Sequence, residues 1–195
     1  MVSQRETIAG DCGELALTPQ ELRIRSYEPK DYKTVLDLYL AGMYYYCPPG
    51  ENEGLRGYVQ RTLHEDMAEG GIELTYFRPG GHFWVATTTD ANGDETIIGS
   101  IAIERKEKNR SELRRLSVRE DFRRHGLARK LVAHLEDWAT AHKISTVRLE
   151  TGSEMAPAIR LYETLGFTRT YTRVFCEDPF AGVYFYEKKL SVDEE

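Results

Sequence analysis

No apolar run in the 195-residue chain approaches the roughly 20 residues that a helix needs to cross a bilayer. Met1 to Gly10 also lacks the apolar stretch of a secretory signal. Cysteine is scarce: Cys12, Cys47 and Cys176 are odd in number and widely spaced, without the pairing of zinc sites or secreted disulfide frameworks. Reduced thiols in a soluble, cytoplasmic protein are the expectation. An excess of positive charge is missing too, since 26 Lys and Arg face 32 Asp and Glu for a net charge of −6. That argues against whole-protein affinity for nucleic acid or for an anionic membrane surface. Neither an internal repeat nor a low-complexity tract interrupts the chain. His64, His82, His125, His134 and His142 show no metal-ligand spacing, so no metal is expected.

What is present is the material for one ordinary core, at 41% hydrophobic residues. The expected organisation is a flexible N-terminal extension over 1–20, one domain over 21–190 and an acidic tail over 191–195. Along that domain the periodicity alternates between α and β, predicting a mixed α/β fold. Strand patterns cover 22–26, 83–89, 96–103, 111–118, 146–150, 169–176 and 182–189, seven in all. Helical spacing begins at Asp31, then runs from Gly54 to Met67, from Gly126 to His142 and over Ala158 to Leu165. Cys47-Pro-Pro-Gly50 breaks the first helix, Gly70-Gly71 ends the second, and Gly166 suits a left-handed cap after the last. Because a strand, a helix and another strand follow one another around Gly126, the strands ending at Val118 and Glu150 are expected to run parallel.

Charge is unevenly placed. From Glu104 to Lys130 there are eleven Arg and Lys against five Asp and Glu, so the remainder carries about −12. Inside that basic stretch the segment Leu113 to Leu131 reads as a buried strand, a short basic turn and an amphipathic helix opening near Gly126. The first N–H groups of a helix have no intrahelical acceptor, and with the helix dipole they favour an anion. Gly126 allows a phosphate close to the backbone, Ala128 keeps the next turn small, and Arg123, Arg124, Arg129 and Lys130 add charge. A simple turn followed by a solvated helix face remains the alternative reading of this segment alone.

Arg123-Arg124-His125-Gly126-Leu127-Ala128 resembles the acetyl-CoA loop of the GNAT superfamily of N-acetyltransferases: Gln or Arg, two variable residues, Gly, one variable residue, then Gly or Ala. Ala158-Ile-Arg-Leu-Tyr-Glu-Thr-Leu-Gly-Phe167 resembles that family's second signature, a helix with Leu-Tyr followed by Gly-Phe. The resemblance spans Leu22 to Leu190, and its specific part is Ser111 to Phe167. Leu63-His-Glu-Asp-Met-Ala68, Phe77 to Ala86 and Glu112 to Val118 are similar to the eukaryotic branch with aspartate and cysteine-conjugate N-acetyltransferases. Members of that branch carry a membrane segment between the first two helices, where this chain has only the polar Tyr46 to Arg56 connection.

The resemblance implies a GNAT fold: a twisted, mostly antiparallel sheet of about seven strands with flanking helices and a splayed parallel pair at the acetyl-CoA site. It implies acetyl-CoA as cosubstrate, held by the backbone of Leu116, Ser117 and Val118 and by the loop Arg123, Arg124, His125, Gly126, Leu127, Ala128 and Arg129. Met155 stands where many members carry an Asn that touches the pantetheine arm. The acceptor implied is a small-molecule amine, with a protein lysine or N-terminus, or a non-catalytic coenzyme-binding module, as alternatives. The oligomer left open is a homodimer.

Direct acyl transfer needs a base for the amine and an acid for the departing thiolate. Glu112, at the start of the strand leading into the loop, is the candidate base, with Glu104 and Glu150 as competitors and water as another route. It also reads as a strand-end carboxylate paired with Arg110 or Arg114. Tyr162 is the candidate acid by family position, and core packing is its other reading. The Val118 N–H is placed to polarise the carbonyl. Arg115 is a candidate partner for an acceptor carboxylate, or an ordinary sheet arginine. Tyr44-Tyr45-Tyr46 offers aromatic surface for an acceptor pocket, with core packing of at least one of them as the other reading, since three adjacent residues point in three helical directions.

Overall fold

The computed structural model of the chain describes residues 22–46, 53–90, 92–177 and 180–192. Its elements follow in order: β1 (Leu22–Ser26), α1 (Tyr32–Tyr46), α2 (Glu53–His64), β2 (His82–Thr89), β3 (Glu95–Arg105), β4 (Arg110–Val118), α3 (Leu127–Ala141), β5 (Thr146–Gly152), α4 (Ala156–Thr164), β6 (Thr168–Glu177) and β7 (Phe180–Lys189). The strands form one sheet in the order β1-β2-β3-β4-β5-β7-β6. Every neighbouring pair is antiparallel except β4 and β5, which α3 joins as a crossover. The mixed α/β expectation and the parallel pair therefore hold. The Cys47–Gly50 break, the 1–20 extension and most of the polar connection after Tyr46 lie outside the described residues, as does the end of the acidic tail.

Alternation along the strands builds a core on each face. Trp84, Ala86, Ile101, Ile103, Leu113, Val147 and Leu149 meet Leu127, Leu131 and Leu135 of α3 and Tyr162 of α4 on one face. Phe83, Val85 and Ala102 meet Val35, Tyr39 and Met43 of α1 and Val59 of α2 on the other. Leu131 and Leu135 are fully buried, each worth about 2–3 kcal/mol on area grounds. They fix α3, and so the loop that opens it, against the sheet.

The second helix is shorter than its periodicity predicts, ending at His64 rather than Met67. Turns take over, with Met67 N–H donating to the Thr62 carbonyl and the chain doubling back so tightly that a Cβ on Gly71 would lie 2.5 Å from the Glu65 carbonyl. A short π-helical turn, Glu73–Phe77, then buries Tyr76 completely. Five residues are too few to show a period, and the sequence pattern misses them. At the far end Gly166 adopts φ +86, while Phe167 N–H donates to the Tyr162 carbonyl and its ring enters the core.

Candidate active site

The parallel pairing of β4 with β5 covers only Arg110 with Thr146, Ser111 with Val147 and Glu112 with Arg148. Beyond Glu112 the strands part, leaving the β4 edge from Leu113 to Val118 without a strand partner on that side among the described residues. A bulge deepens the change: between Ser100 and Ala102 of β3, β4 inserts an extra residue, and Arg115 adopts φ +54. Ser100 Oγ donates to the Arg115 carbonyl at 3.0 Å and steadies the kink. Arg119 N–H donates to the Ile98 carbonyl across β3, so the alternation of the ladder turns the Leu116 and Val118 N–H groups toward the gap. The residues expected to pair through their backbone, Leu116, Ser117 and Val118, thus border an open cleft.

After a short 3-10 turn at Glu120–Phe122, the loop opens α3 with two left-handed residues, Arg124 at φ +67 and Gly126 at φ +78. A Cβ at Gly126 would meet nothing within 4 Å, and no side chain caps the helix. The first bond back into the loop is Lys130 N–H to the Gly126 carbonyl at 3.2 Å, so the N–H groups of Leu127, Ala128 and Arg129 are left over. Leu127 sinks its side chain into the core and contributes only backbone to the loop. Arg123 is partly committed, its Nε on the Val118 carbonyl at 3.1 Å and its guanidinium over Tyr45 at 4.5 Å. Arg129 bridges to Thr164 of α4 at 2.9 Å. Among the described residues, Arg124, His125 and Lys130 have no side-chain hydrogen bond or ion pair. Open space, free amides and unspent cations together suit a phosphate.

Tyr162 of α4 is buried, its ring edge-on to Phe167 at 5.8 Å. Burial, with a smaller contribution from Tyr46, raises its phenol well above the ordinary value, so the proton stays on the oxygen. No hydrogen bond engages that hydroxyl among the described residues. Met155 sits just before α4 with Sδ 3.7 Å from Thr151 Oγ1.

Three carboxylates share the other face of the split. Glu104 is saturated, with Arg114 Nη1 and Lys106 Nζ each at 2.6 Å. Glu112, at the last paired position, lies 3.5 Å from Lys106 and 3.8 Å from Arg114. Glu150 carries no ion pair among the described residues; its side chain is exposed, and desolvation by its neighbours together with the charge of Glu112 raises its carboxyl from its ordinary value. Sequence reasoning named all three without this ranking.

Arg115 is where expectation and geometry diverge most. Its Nε and Nη2 grip both oxygens of Asp66 at 2.6 Å, Nη1 lies 3.1 Å from Tyr58 Oη, and the guanidinium sits 5.1 Å from the Tyr39 ring centre. Tyr76 donates its hydroxyl to the same carboxylate. Burial works to raise the Asp66 carboxyl, but hydrogen bonds and charge from Arg115, then Arg114 and Tyr76, outweigh it and hold the carboxyl below its ordinary value. Asp66, Tyr76 and Tyr58 were not singled out in the sequence; only the short Leu63 to Ala68 similarity pointed near them. Tyr44 and Tyr45 are exposed on α1.

Residues 46–167 match the model of the acetyltransferase (GNAT) family. Human N-acetylaspartate synthetase is 37% identical over 168 residues, which cover 80% of this chain and 52% of that protein. Human N-acetyltransferase 8 is 31% identical over 125 residues, covering 61% and 52%. The chain therefore spans about half the length of these curated relatives. The PaiA N-acetyltransferase of Thermoplasma acidophilum, solved in complex with coenzyme A, superposes with a TM-score of 0.65 over 86% of this chain and 98% of its own, at 18% identity. At that identity the likeness shows the fold.

Proposed function

The chain belongs to the acetyltransferase (GNAT) family, and from that premise we propose that it transfers an acetyl group from acetyl-CoA directly to the primary amine of a small, amino-acid-like acceptor. The observation that supports the reading is the β4–β5 split itself: pairing stops at Glu112 with Arg148, the free β4 edge and the unpaired amides after Gly126 follow, Tyr162 lies on the α3–α4 face, and Glu112 and Glu150 lie on the opposite face. Acetyl-CoA, when bound, supplies an activated thioester. The N–H groups of Leu127, Ala128 and Arg129, exposed by Gly126, hold its pyrophosphate, with Arg123, Arg124, His125 and Lys130 around them. Leu116, Ser117 and Val118 align the arm through the backbone, and the Val118 N–H receives developing charge on the carbonyl oxygen.

In this reading Glu112 accepts the proton that the amine must lose, and Tyr162 supplies one to the departing sulfur. The C–N bond forms as the C–S bond breaks, and no covalent enzyme intermediate is required. A second assignment of the base, to Glu150, is favoured by its freedom from ion pairs and its raised carboxyl. Arg115 can meet an acceptor carboxylate only through Nη1, since its other edge holds Asp66. The similarity to human N-acetylaspartate synthetase supports an amino-acid-like acceptor. No helix among the described residues is long and apolar enough to cross a membrane, and a cytoplasmic location is part of the proposal.

The test is amine-dependent release of coenzyme A thiol from acetyl-CoA across a panel of free amino acids, amino-acid amides and peptides. Release with free amino acids supports the reading. Release with peptides alone favours a protein acceptor, and binding of acetyl-CoA without release favours a non-catalytic module.

A further inference from the structure

Cations on the acceptor side of the sheet are nearly all spent. Arg115 holds Asp66, Arg114 holds Glu104, and Arg148 holds Glu187 at 2.9 Å. Arg173 of β6 is different: among the described residues no carboxylate lies within ion-pair distance of it, and its side chain is exposed. Register places it on the face that carries the candidate bases. Glu150 of β5 lies opposite Phe185 of β7, Phe185 lies opposite Tyr171 of β6, and Arg173 lies opposite Val183. Cross-strand partners share a face, so Glu150, Phe185, Tyr171 and Arg173 form one surface.

Side-chain contacts agree with the register. The rings of Tyr171 and Phe185 are 5.5 Å apart, and the Arg173 guanidinium lies 5.3 Å from the Phe185 ring centre. Tyr171 is 59% exposed, which for an aromatic beside charged groups leaves a wetted apolar wall. The helices on this face pack over β2, β3 and β4, so the shelf on β7 and β6 begins where their cover stops. Two strand spacings, about 10 Å, separate the backbones of Glu150 and β6, and the Arg173 guanidinium reaches over the Phe185 ring on the strand between them.

Ammonium-seeking carboxylates at one end, a free guanidinium at the other and an aromatic wall between them match the three parts of a free amino acid. Resting on the acetyl-transfer reading, we infer that Arg173 receives the acceptor's carboxylate while Phe185 and Tyr171 receive its side chain. The acceptor is then a free amino acid with one carboxylate and a bulky apolar side chain. A dicarboxylic acceptor would need a second cation on this face; Arg114 and Arg148 are held by Glu104 and Glu187, and Arg115 offers only Nη1, which already lies 3.1 Å from Tyr58 Oη.

The test compares L-phenylalanine, L-leucine, L-alanine, L-aspartate and L-phenylalaninamide as acceptors for the full chain, by thiol release from acetyl-CoA. L-Phenylalanine should exceed L-aspartate and L-phenylalaninamide at least about 10-fold in kcat/KM, the scale of one charge-assisted bidentate contact. Arg173→Ala should raise KM for L-phenylalanine by roughly that factor and erase the preference for acid over amide, with Arg173→Lys restoring part of it. Phe185→Ala should narrow the preference for L-phenylalanine over L-alanine. Preference for L-aspartate, an unchanged acid-to-amide ratio in Arg173→Ala, or turnover confined to peptides each overturns the inference. Calorimetry with acetyl-CoA alone separates the levels: intact binding with the wrong selectivity removes only the Arg173 subsite, whereas absent binding removes the acetyl-transfer reading beneath it.

Discussion

The two sides of β4 treat charge in opposite ways. Toward α3, the fold leaves polar groups unspent: free amides after Gly126, open space where its Cβ would be, and Arg124 and Lys130 without partners among the described residues. Toward α1 and α2, the arginines of β4 are consumed internally, Arg115 by Asp66 and Arg114 by Glu104. One side leaves donors available to an anion, and the other spends its cations on internal pairs. A ligand site is marked by what the surrounding structure declines to satisfy, and a basic residue in a motif is a binding residue only if its neighbours leave it free.

The comparison breaks most forcefully at Asp66. Asp66→Ala strands a buried guanidinium and should cost about 3–5 kcal/mol in chemical denaturation, while Asp66→Leu combined with Arg115→Met should cost much less. A loss under about 1 kcal/mol for Asp66→Ala would mean the pair is effectively solvated. Tyr162→Phe keeps the packing and removes the proton, so kcat should fall on the order of 100-fold with little change in KM for acetyl-CoA. On the anion side, Gly126→Asp adds negative charge and left-handed strain. It should raise the acetyl-CoA Kd by on the order of 10- to 100-fold while circular dichroism stays native.

A smaller effect distinguishes the two candidate bases. The negative charge of Glu112 is one of the causes that raise the Glu150 carboxyl. If Glu150 is the base, the acid limb of the rate profile lies above the ordinary carboxylate range, and Glu112→Gln shifts it to lower pH. If Glu112 is the base, the same variant flattens that limb. The smallest effect concerns stability in acid. Burial, then the charges of His142 and His134, lower the His82 imidazole below its ordinary 6.5. The stability it contributes is complete above that value and is lost as pH falls through the depressed folded-state value, so His82→Gln should flatten the decline in melting temperature across that range.

Much of this was legible in the chain. Strand alternation and helical spacing located all seven strands and the four main helices, most of them because they bury one clear face; β6, exposed along nearly its whole length, was legible from its β-rich composition and the Asp178-Pro179 break after it. The Gly126 loop and the Leu-Tyr to Gly-Phe helix were readable because local backbone geometry, left-handed at Gly126 and Gly166, fixes residue type and spacing there. The Asp66–Arg115 pair was not, since its partners lie 49 residues apart and meet only through a β4 bulge and the turns after α2. The Glu150–Phe185–Tyr171 surface was equally hidden, because it depends on β7 inserting between β5 and β6. Sequence reasoning saw Arg115 as a candidate cation but had no means of seeing that another residue had already taken most of it.

The most direct measurement follows thiol release and product mass together when the protein is mixed with acetyl-CoA, with and without free amino acids. We expect thiol release only when an amine is present, an amine heavier by one acetyl group, and no acetylated protein. Tight acetyl-CoA binding with no amine-dependent release, or release that leaves the protein itself acetylated, would contradict direct transfer at the β4–β5 split.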